Sequence, residues 1–282
     1  MGNAQTLGAR AEQQDAFGFS DIDDKGFVRH GGVLAVIADG MGGHAHGGNA
    51  SRIAVQTFLH EYMAKPVHSP IIDALHQAFV SANAAVCAFA EAVGELDNCG
   101  TTLLAAVVHP ESRSLNWIGA GDSRLYLIRD HQWIQLTTDA TYANLLLNQQ
   151  IKGIGLGNGW QRDGPLRALT SFLGLPETGD IDCSLRGFKL HAGDWLVLCT
   201  DGIYNTLDPA ECLACLTGEP HRACENLILA VAAKHQSHQD NATVAVIACN
   251  LTPDPSLSNR GKALLAKLAL GLLMTVAAFS AF

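Results

Sequence analysis

The sequence has few charged residues and no excess of basic ones. Charged residues make up 16% of its 282 residues, against about 25% in an average soluble protein. Lysines and arginines number 18 and acidic residues 27, so the formal net charge is −9. No local basic patch offsets this charge, and an acidic surface repels nucleic-acid phosphates. We therefore expect no nucleic-acid partner, and this charge disfavours a nuclease.

A secretory signal peptide is also lacking, and this absence bears on the eight cysteines. They are scattered through apolar stretches, which favours free thiols in a reducing cytosol over a disulfide framework. Cys212 and Cys215 form a Cys-x-x-Cys pair, but no second Cys or His pair lies nearby in the sequence. Helix packing is therefore favoured over a zinc site. Gly2 fits the short myristoylation pattern, although a frayed terminus is the preferred interpretation.

What the chain does have is apolar residues, which make up 48% of it and can form a sizeable core. Short apolar runs predict buried strands at 33–38, 101–108, 115–118, 125–128, 195–199 and 243–248. Helical patterns occupy about 49–64, 70–93, 209–217 and 221–235. Four strand-like runs between 101 and 136 follow one another with only turn-length gaps. This order favours antiparallel sheet with segregated helices, an α+β architecture.

The segment 137–170 departs from this pattern because five glycines interrupt it. These glycines raise its conformational freedom, and few apolar residues can anchor it. We expect a mobile excursion from the sheet.

The composition changes again after Ala248. Residues 250–262 read as a linker, and 263–282 is an apolar stretch of 20 residues with one charge, Lys267. Its uninterrupted part, Leu268–Phe282, has 15 residues, short of the ~20 that span a bilayer unless Lys267 snorkels. A terminal helix packed on the domain is the alternative. Three basic residues precede this uninterrupted part: Arg260, Lys262 and Lys267. By the positive-inside rule they predict that the preceding domain is cytoplasmic and tail-anchored to the inner (cytoplasmic) membrane.

Aspartates recur where apolar strands end. Asp39, Asp122 and Asp201 each follow such a run and precede a glycine or serine, and Asp15 and Asp240 complete the set. A lone Asp-Gly is usually a turn. Several aspartates on rigid strand ends, without Cys or His, instead indicate a site for a hard cation such as Mg²⁺ or Mn²⁺.

The motifs in their order resemble those of the bacterial-type PP2C (PPM) family of metal-dependent protein serine/threonine phosphatases. The resemblance covers about residues 1–250 and implies a four-layer α-β-β-α sandwich of two antiparallel sheets, with a C-terminal apolar helix beyond it. A dinuclear Mn²⁺ or Mg²⁺ site would lie at one edge, and 137–170 would be the flap-like segment. The matching motifs are Arg10-x-x-x-Gln14-Asp15, Asp39-Gly-Met-Gly-Gly43, Gly100-Thr-Thr102, Gly119-Ala-Gly-Asp122-Ser-Arg124, Leu136-Thr137, Ala168-Leu-Thr-Ser-Phe-Leu-Gly174, Thr200-Asp-Gly202 and Asp240-Asn241.

The resemblance assigns metal ligands to specific positions. Asp39 takes the place of the carboxylate that bridges both metals, and the Gly40 carbonyl that of a ligand to one of them. Asp201 and Asp240 match ligands of the other metal, and Asp122 matches a ligand of a weaker third ion.

Two further residues have roles beside the metals. Arg10 matches the guanidinium that binds the phosphoryl group, and Asp15 matches the acid at the metal site that orients the attacking water. The implied reaction hydrolyses phosphoserine and phosphothreonine in proteins by attack of a metal-bridging water or hydroxide. Phosphoproteins and a cognate serine/threonine kinase would be the partners. The alternative is a pseudophosphatase, a phosphoprotein-binding or scaffold module.

Three departures from the family pattern qualify this picture. Gln14 supplies an amide where the family often has a carboxylate, and Met41 replaces a histidine proposed as general acid in some members. His44, His46 or water could donate that proton. Asp139-Ala-Thr141 stands where the family has Asp-His-Ser, which puts in doubt the contact that this motif makes with the third metal.

Overall fold

Two antiparallel sheets form the centre of the computed structural model, which describes residues 1–41, 46–96, 98–152, 166–177 and 179–249. The predicted linker, anchor and C-terminal apolar helix lie outside these residues. The strands are β1 Gly2–Thr6, β2 Asp15–Phe19, β3 Val33–Met41, β4 Gly100–Thr101, β5 Leu103–His109, β6 Ser114–Ala120, β7 Arg124–Arg129, β8 Gln132–Gln135, β9 Asp182–Cys183, β10 Phe188–Lys189, β11 Trp195–Cys199 and β12 Ala242–Ala248.

The first sheet has the strand order β1-β12-β11-β7-β8, and the second has β10-β6-β5-β3-β2, with β4 beside β3 and β9 beside β6. Every pairing between these strands is antiparallel. The longest predicted strands are all present, because their apolar and β-branched residues suit a sheet covered on both faces.

Helices cover the outer face of each sheet. The helices of the described residues are α1 Lys25–Gly31, α2 His46–Met63, α3 Ile71–Ala92, α4 Tyr142–Ile151, α5 Asp201–Tyr204, α6 Pro209–Cys215 and α7 Pro220–Ala233. Helix α4 has no buried residue and is not part of the covering layers. Phe58 of α2 and Phe79 of α3 pack against alternate residues of β3 and β5 in one core. Ile203 of α5 and Leu227 of α7 pack against β11 and β12 in another.

The opposite faces of the two sheets are buried as well. Ile37, Leu104 and Leu198 alternate with the helix-facing residues and are fully or almost fully buried. The described residues therefore form four layers, helix-sheet-sheet-helix, which confirms the predicted fold class. Helix α3 is long and apolar enough to cross a membrane by composition, but here its buried face belongs to the core.

The chain start differs from its prediction as a frayed terminus. Gly2–Thr6 forms β1 and pairs with β12 along its whole length. A Cβ on Gly2 would lie 2.3 Å from the backbone nitrogen of His221 in α7, so this close approach requires glycine. The prediction was wrong because pairing with β12, and not a local apolar run, holds this polar segment in the sheet.

The cysteines agree with the expectation of packing. All eight are free thiols, and Cys212 is buried in the core under α6 and α7. Cys215 packs against the same core with partial exposure. Helix α6 itself begins with a capping box, in which Asp208 and Glu211 bond to each other's backbone nitrogens.

Candidate active site

Five aspartates lie at the ends of strands from both sheets. Asp15 opens β2 and is paired directly with Asp39 of β3. Asp201 follows β11, Asp122 stands between β6 and β7, and Asp240 precedes β12. Because β11 lies antiparallel between β7 and β12, the end of β11 meets the starts of both neighbours. We call this group the carboxylate edge.

Burial and mutual repulsion perturb these acids. Burial, followed by the charges of Asp15 and Asp201, holds the pKa of Asp39 well above its ordinary range. Burial and the charge of Asp122 raise the pKa of Asp201 to about 7, and burial raises that of Asp15 to about 6. Burial also raises the pKa of Asp122. Buried like charges on this scale call for a counter-cation.

Two carboxylate oxygens at this edge have no hydrogen-bond partner in the described part of the chain. They are Oδ1 of Asp15 and Oδ1 of Asp201, and both are buried. An unpaired buried oxygen is costly, so the donor set fits a divalent cation. No three His, Cys, Asp or Glu side chains in the described ranges close around one ion. Mg²⁺-like ions tolerate such an open set, because water supplies their remaining ligands.

Neighbouring side chains orient the acids. Thr200 donates its hydroxyl to Asp15 Oδ2 at 2.9 Å, and Asn205 donates its amide to Asp201 Oδ2 at 3.0 Å. Thr200 belongs to a motif noted in the sequence, whereas Asn205 was missed. Its only signal is the i,i+4 spacing from Asp201, the distance of one helical turn, with Asn205 capping the end of α5.

Gly40 lies at a very close backbone contact of the site. Its backbone nitrogen donates to the Gln14 carbonyl at 3.1 Å, and a Cβ would lie 2.1 Å from the Gly47 carbonyl oxygen. Only glycine fits there. The side-chain amide of Gln14 lies 3.1 Å from the position of a Cβ on Gly47, so Gln14 lies beside both glycines.

Arg10 lies at the open side of the carboxylate edge. Its Nη2 donates to Asp240 Oδ2 at 2.6 Å, while 57% of its side chain stays exposed. The hydrogen bond and charge of Asp240 raise the pKa of Arg10. The second oxygen of Asp240 accepts from the backbone nitrogen of Asn241 at 2.8 Å. Both oxygens of Asp240 are thus bound within the protein.

Asp139 is engaged by an arginine. Arg124 donates to its two oxygens at 3.0 Å from Nε and 2.7 Å from Nη2, and Gln135 donates at 2.9 Å. The guanidinium of Arg124 also lies 3.5 Å from the ring centroid of Tyr204, whose hydroxyl donates to the Asp122 carbonyl at 3.0 Å. The sequence did not reveal this network.

Two histidines were candidate general acids. His46 opens α2, and its ring packs beside Phe89 of α3 with centroids 6.2 Å apart. Its role as general acid stays a prediction. His44 lies outside the described residues.

The amino-acid sequence is similar to those of known protein phosphatases. The sequence model for protein phosphatase 2C matches residues 7–236. The serine/threonine phosphatase stp of Listeria monocytogenes is 29% identical over 246 residues, covering 81% of this chain and 94% of that protein. The serine/threonine protein phosphatase PstP of Mycobacterium tuberculosis is 31% identical over 199 residues, or 70% of this chain. The match spans 37% of the length of PstP.

Solved structures resemble the chain over most of its length. The PPM Ser-Thr phosphatase MsPP from Mycobacterium smegmatis, in complex with cacodylate, aligns with a TM-score of 0.67 and 30% identity. The alignment covers 89% of this chain and 97% of MsPP. The catalytic domain of PstP, in complex with two manganese ions, aligns with a TM-score of 0.65 and 27% identity over 86% of this chain and 95% of that one.

Proposed function

The chain belongs to the protein phosphatase 2C family, and on this premise we propose that it hydrolyses phosphoserine and phosphothreonine in proteins with the help of Mn²⁺ or Mg²⁺. The observation that carries the proposal is the carboxylate edge, where Asp15 and Asp201 each bury an oxygen without a partner in the described residues. The names of the relatives and the two manganese ions in the PstP structure support it.

The proposed metal ligands are the residues of this edge. Asp39 would bridge two ions, the Gly40 carbonyl would complete one site, and Asp201 and Asp240 would hold the other. Asp122 would contribute to a weaker third site. When bound, the ions would lower the pKa of the attacking water and neutralise charge on the phosphoryl oxygens.

The chain's own groups would position the reactants. The exposed Arg10 would exchange Asp240 for a phosphoryl group, which a guanidinium can bind through two parallel hydrogen bonds. Asp15, oriented by Thr200, would orient the attacking water. Water attacks phosphorus directly in this scheme, so no phosphoenzyme is expected.

The deciding experiment measures hydrolysis of p-nitrophenyl phosphate and of a phosphothreonine peptide with EDTA, Mn²⁺ or Mg²⁺. We expect hydrolysis of both substrates with either metal and none with EDTA. A chain that binds the phosphopeptide but hydrolyses neither substrate at any metal concentration would be a pseudophosphatase.

We also propose that the chain acts opposite a cognate serine/threonine kinase and that its tail attaches to a membrane. The kinase follows from the substrate class, because a phosphatase needs an enzyme that supplies phosphoprotein. Attachment to the inner membrane is supported by the apolar composition of 263–282 and the basic residues before it. The tail lies outside the described residues.

A further inference from the structure

A cavity of about 240 Å³ adjoins the carboxylate edge, and Arg10 is not among its lining residues. Helix α5 and the residues that follow β6 form one wall, and the segment just after the undescribed part of 137–170 forms another. Its lining includes Asp122, Asp201, Tyr204, Asn205, Leu166 and Arg167.

One positive charge in this cavity lacks a carboxylate partner among the described residues. Arg124 and Asp139, which also line it, neutralise each other. Asp122 and Asp201 are proposed metal ligands, whose charge the ions would balance. Arg167 instead makes its hydrogen bond to a neutral group, donating from Nη1 to Asn205 Oδ1 at 3.2 Å. With those ions bound, the guanidinium of Arg167 would be the one charge of this lining left for a ligand.

Asn205 holds this cation at a defined place relative to the reaction centre. Its amide nitrogen donates to Asp201 Oδ2 at 3.0 Å while its amide oxygen accepts from Arg167. One amide group thus separates the guanidinium from a proposed metal ligand. An extended peptide advances about 3.3 Å per residue, so a residue one or two positions from the phosphorylated one can reach Arg167.

We propose that Arg167 is a specificity-determining residue that binds an anionic side chain near the phosphorylated residue of the substrate. The anion is a carboxylate or a second phosphoryl group, both of which suit a guanidinium. Leu166, which is 55% exposed, offers an apolar contact for the aliphatic part of that side chain. This inference rests on the proposed phosphatase function and names a preference within it.

The test uses one phosphothreonine peptide and variants with a single Asp, Asn or phosphoserine at each position from two before to two after it. The readout is kcat/KM of the full chain with Mn²⁺. We expect Asp and phosphoserine to exceed Asn by about three- to tenfold at one position or more, the range for a partly exposed charged hydrogen bond. Arg167→Gln should bring the ratio of kcat/KM values to about one, Arg167→Lys should retain part of the preference for the anion, and Arg167→Glu should reverse it.

Controls separate the preference from general charge effects. Arg186→Gln removes an exposed arginine between β9 and β10 that does not line the cavity, and we expect it to retain the wild-type ratio. Binding measured by fluorescence anisotropy in the Asp39→Asn background should show the same preference in Kd, and its loss with Arg167→Gln.

The outcomes distinguish this inference from the proposed function. Equal hydrolysis of Asp and Asn peptides at every position would overturn the role of Arg167 and leave the phosphatase function standing. An unchanged ratio in Arg167→Gln would do the same. Hydrolysis of no peptide and no p-nitrophenyl phosphate would overturn both.

Discussion

Asp39 is buried among other carboxylates, and their negative charges disfavour its ionised form. Burial and the charges of four other aspartates hold its pKa well above its ordinary range. Asp39→Asn removes the proposed bridging ligand and also relieves this repulsion. We expect turnover at saturating Mn²⁺ to fall more than tenfold, a rise of at least ~1.4 kcal/mol in the barrier. The melting temperature in EDTA should stay unchanged or increase.

Two variants serve as comparisons for this result. Asp73→Asn changes an exposed acid in the first turn of α3, and its effect on stability should stay within ~0.5 kcal/mol. Asp122→Asn should lower turnover less than Asp39→Asn, because Asp122 is assigned to the weaker third site. Retention of more than a tenth of the wild-type rate by Asp39→Asn would rule out the dinuclear assignment.

Gln14 offers a gain-of-affinity test. Its side chain lies beside Gly47, and its backbone carbonyl accepts a hydrogen bond from the Gly40 nitrogen. Gln14→Glu adds a carboxylate where the present amide carries no charge, so it should strengthen binding of the second metal. The Mn²⁺ concentration for half-maximal activity should fall. An unchanged or higher concentration would place Gln14 outside the metal's surroundings.

The sequence predicted the acidic residues of the site better than their partners. Asp39, Asp122 and Asp201 could be brought to one edge by the rule that strand ends meet there, since each follows a predicted apolar strand. The pairing of Arg124 with Asp139 depends on how β7 and the chain after β8 fold back on each other. A contact set by tertiary structure leaves no local pattern in the sequence. The departure at Asp139-Ala-Thr141 from the family motif was therefore visible, but the partner of Asp139 could not be predicted.

At the scale of elements, α4 is the least anchored helix. Its ten residues include none that is buried, although Leu145, Leu146 and Leu147 stand in its middle. Local stability depends on buried apolar contacts. We expect amides of α4 to exchange with solvent far faster than those of β5, and limited proteolysis to cut within 137–170 first. Equal protection of α4 and β5 in hydrogen exchange would contradict a mobile substrate-facing segment.

Strands with continuous apolar runs could be predicted from the sequence. Strands that form because they pair with a long neighbouring strand could not. The strands at 33–41 and 195–199 match apolar runs because both faces of each are buried. The strands at 2–6 and 15–19 have mixed sequences and form because a long neighbour pairs with them. Helix α4 was missed inside 137–170 because the glycines further along dominated the pattern.

For the whole molecule, the raised pKa values predict how stability depends on pH without metal. Acids whose pKa is higher in the folded state keep protons that the unfolded chain releases, so stability falls as pH rises through the folded values. Those values are about 6 for Asp15 and about 7 for Asp201. We expect the melting temperature in EDTA to decrease between pH 5.5 and 8.

Divalent metal should reverse this trend, because cations favour the ionised carboxylates. With excess Mn²⁺, the melting temperature should rise at pH 8 and change least at pH 5.5. In the Asp39→Asn variant, the melting temperature should depend less on pH, both in EDTA and with Mn²⁺. A melting temperature in EDTA that increases from pH 5.5 to 8 would contradict the assigned shifts.

The tail determines where the molecule as a whole would act. Residues 263–282 carry one charge and follow a linker with Pro253 and Pro255, so we expect them to insert into a membrane while the phosphatase domain stays outside it. A chain ending at residue 255 keeps every described element and should stay soluble with full activity on p-nitrophenyl phosphate. The full chain should sediment with membranes and resist carbonate extraction, because an inserted helix is not released by removing surface charge. A full chain that remains soluble and monomeric without detergent would instead indicate a terminal helix packed on the domain.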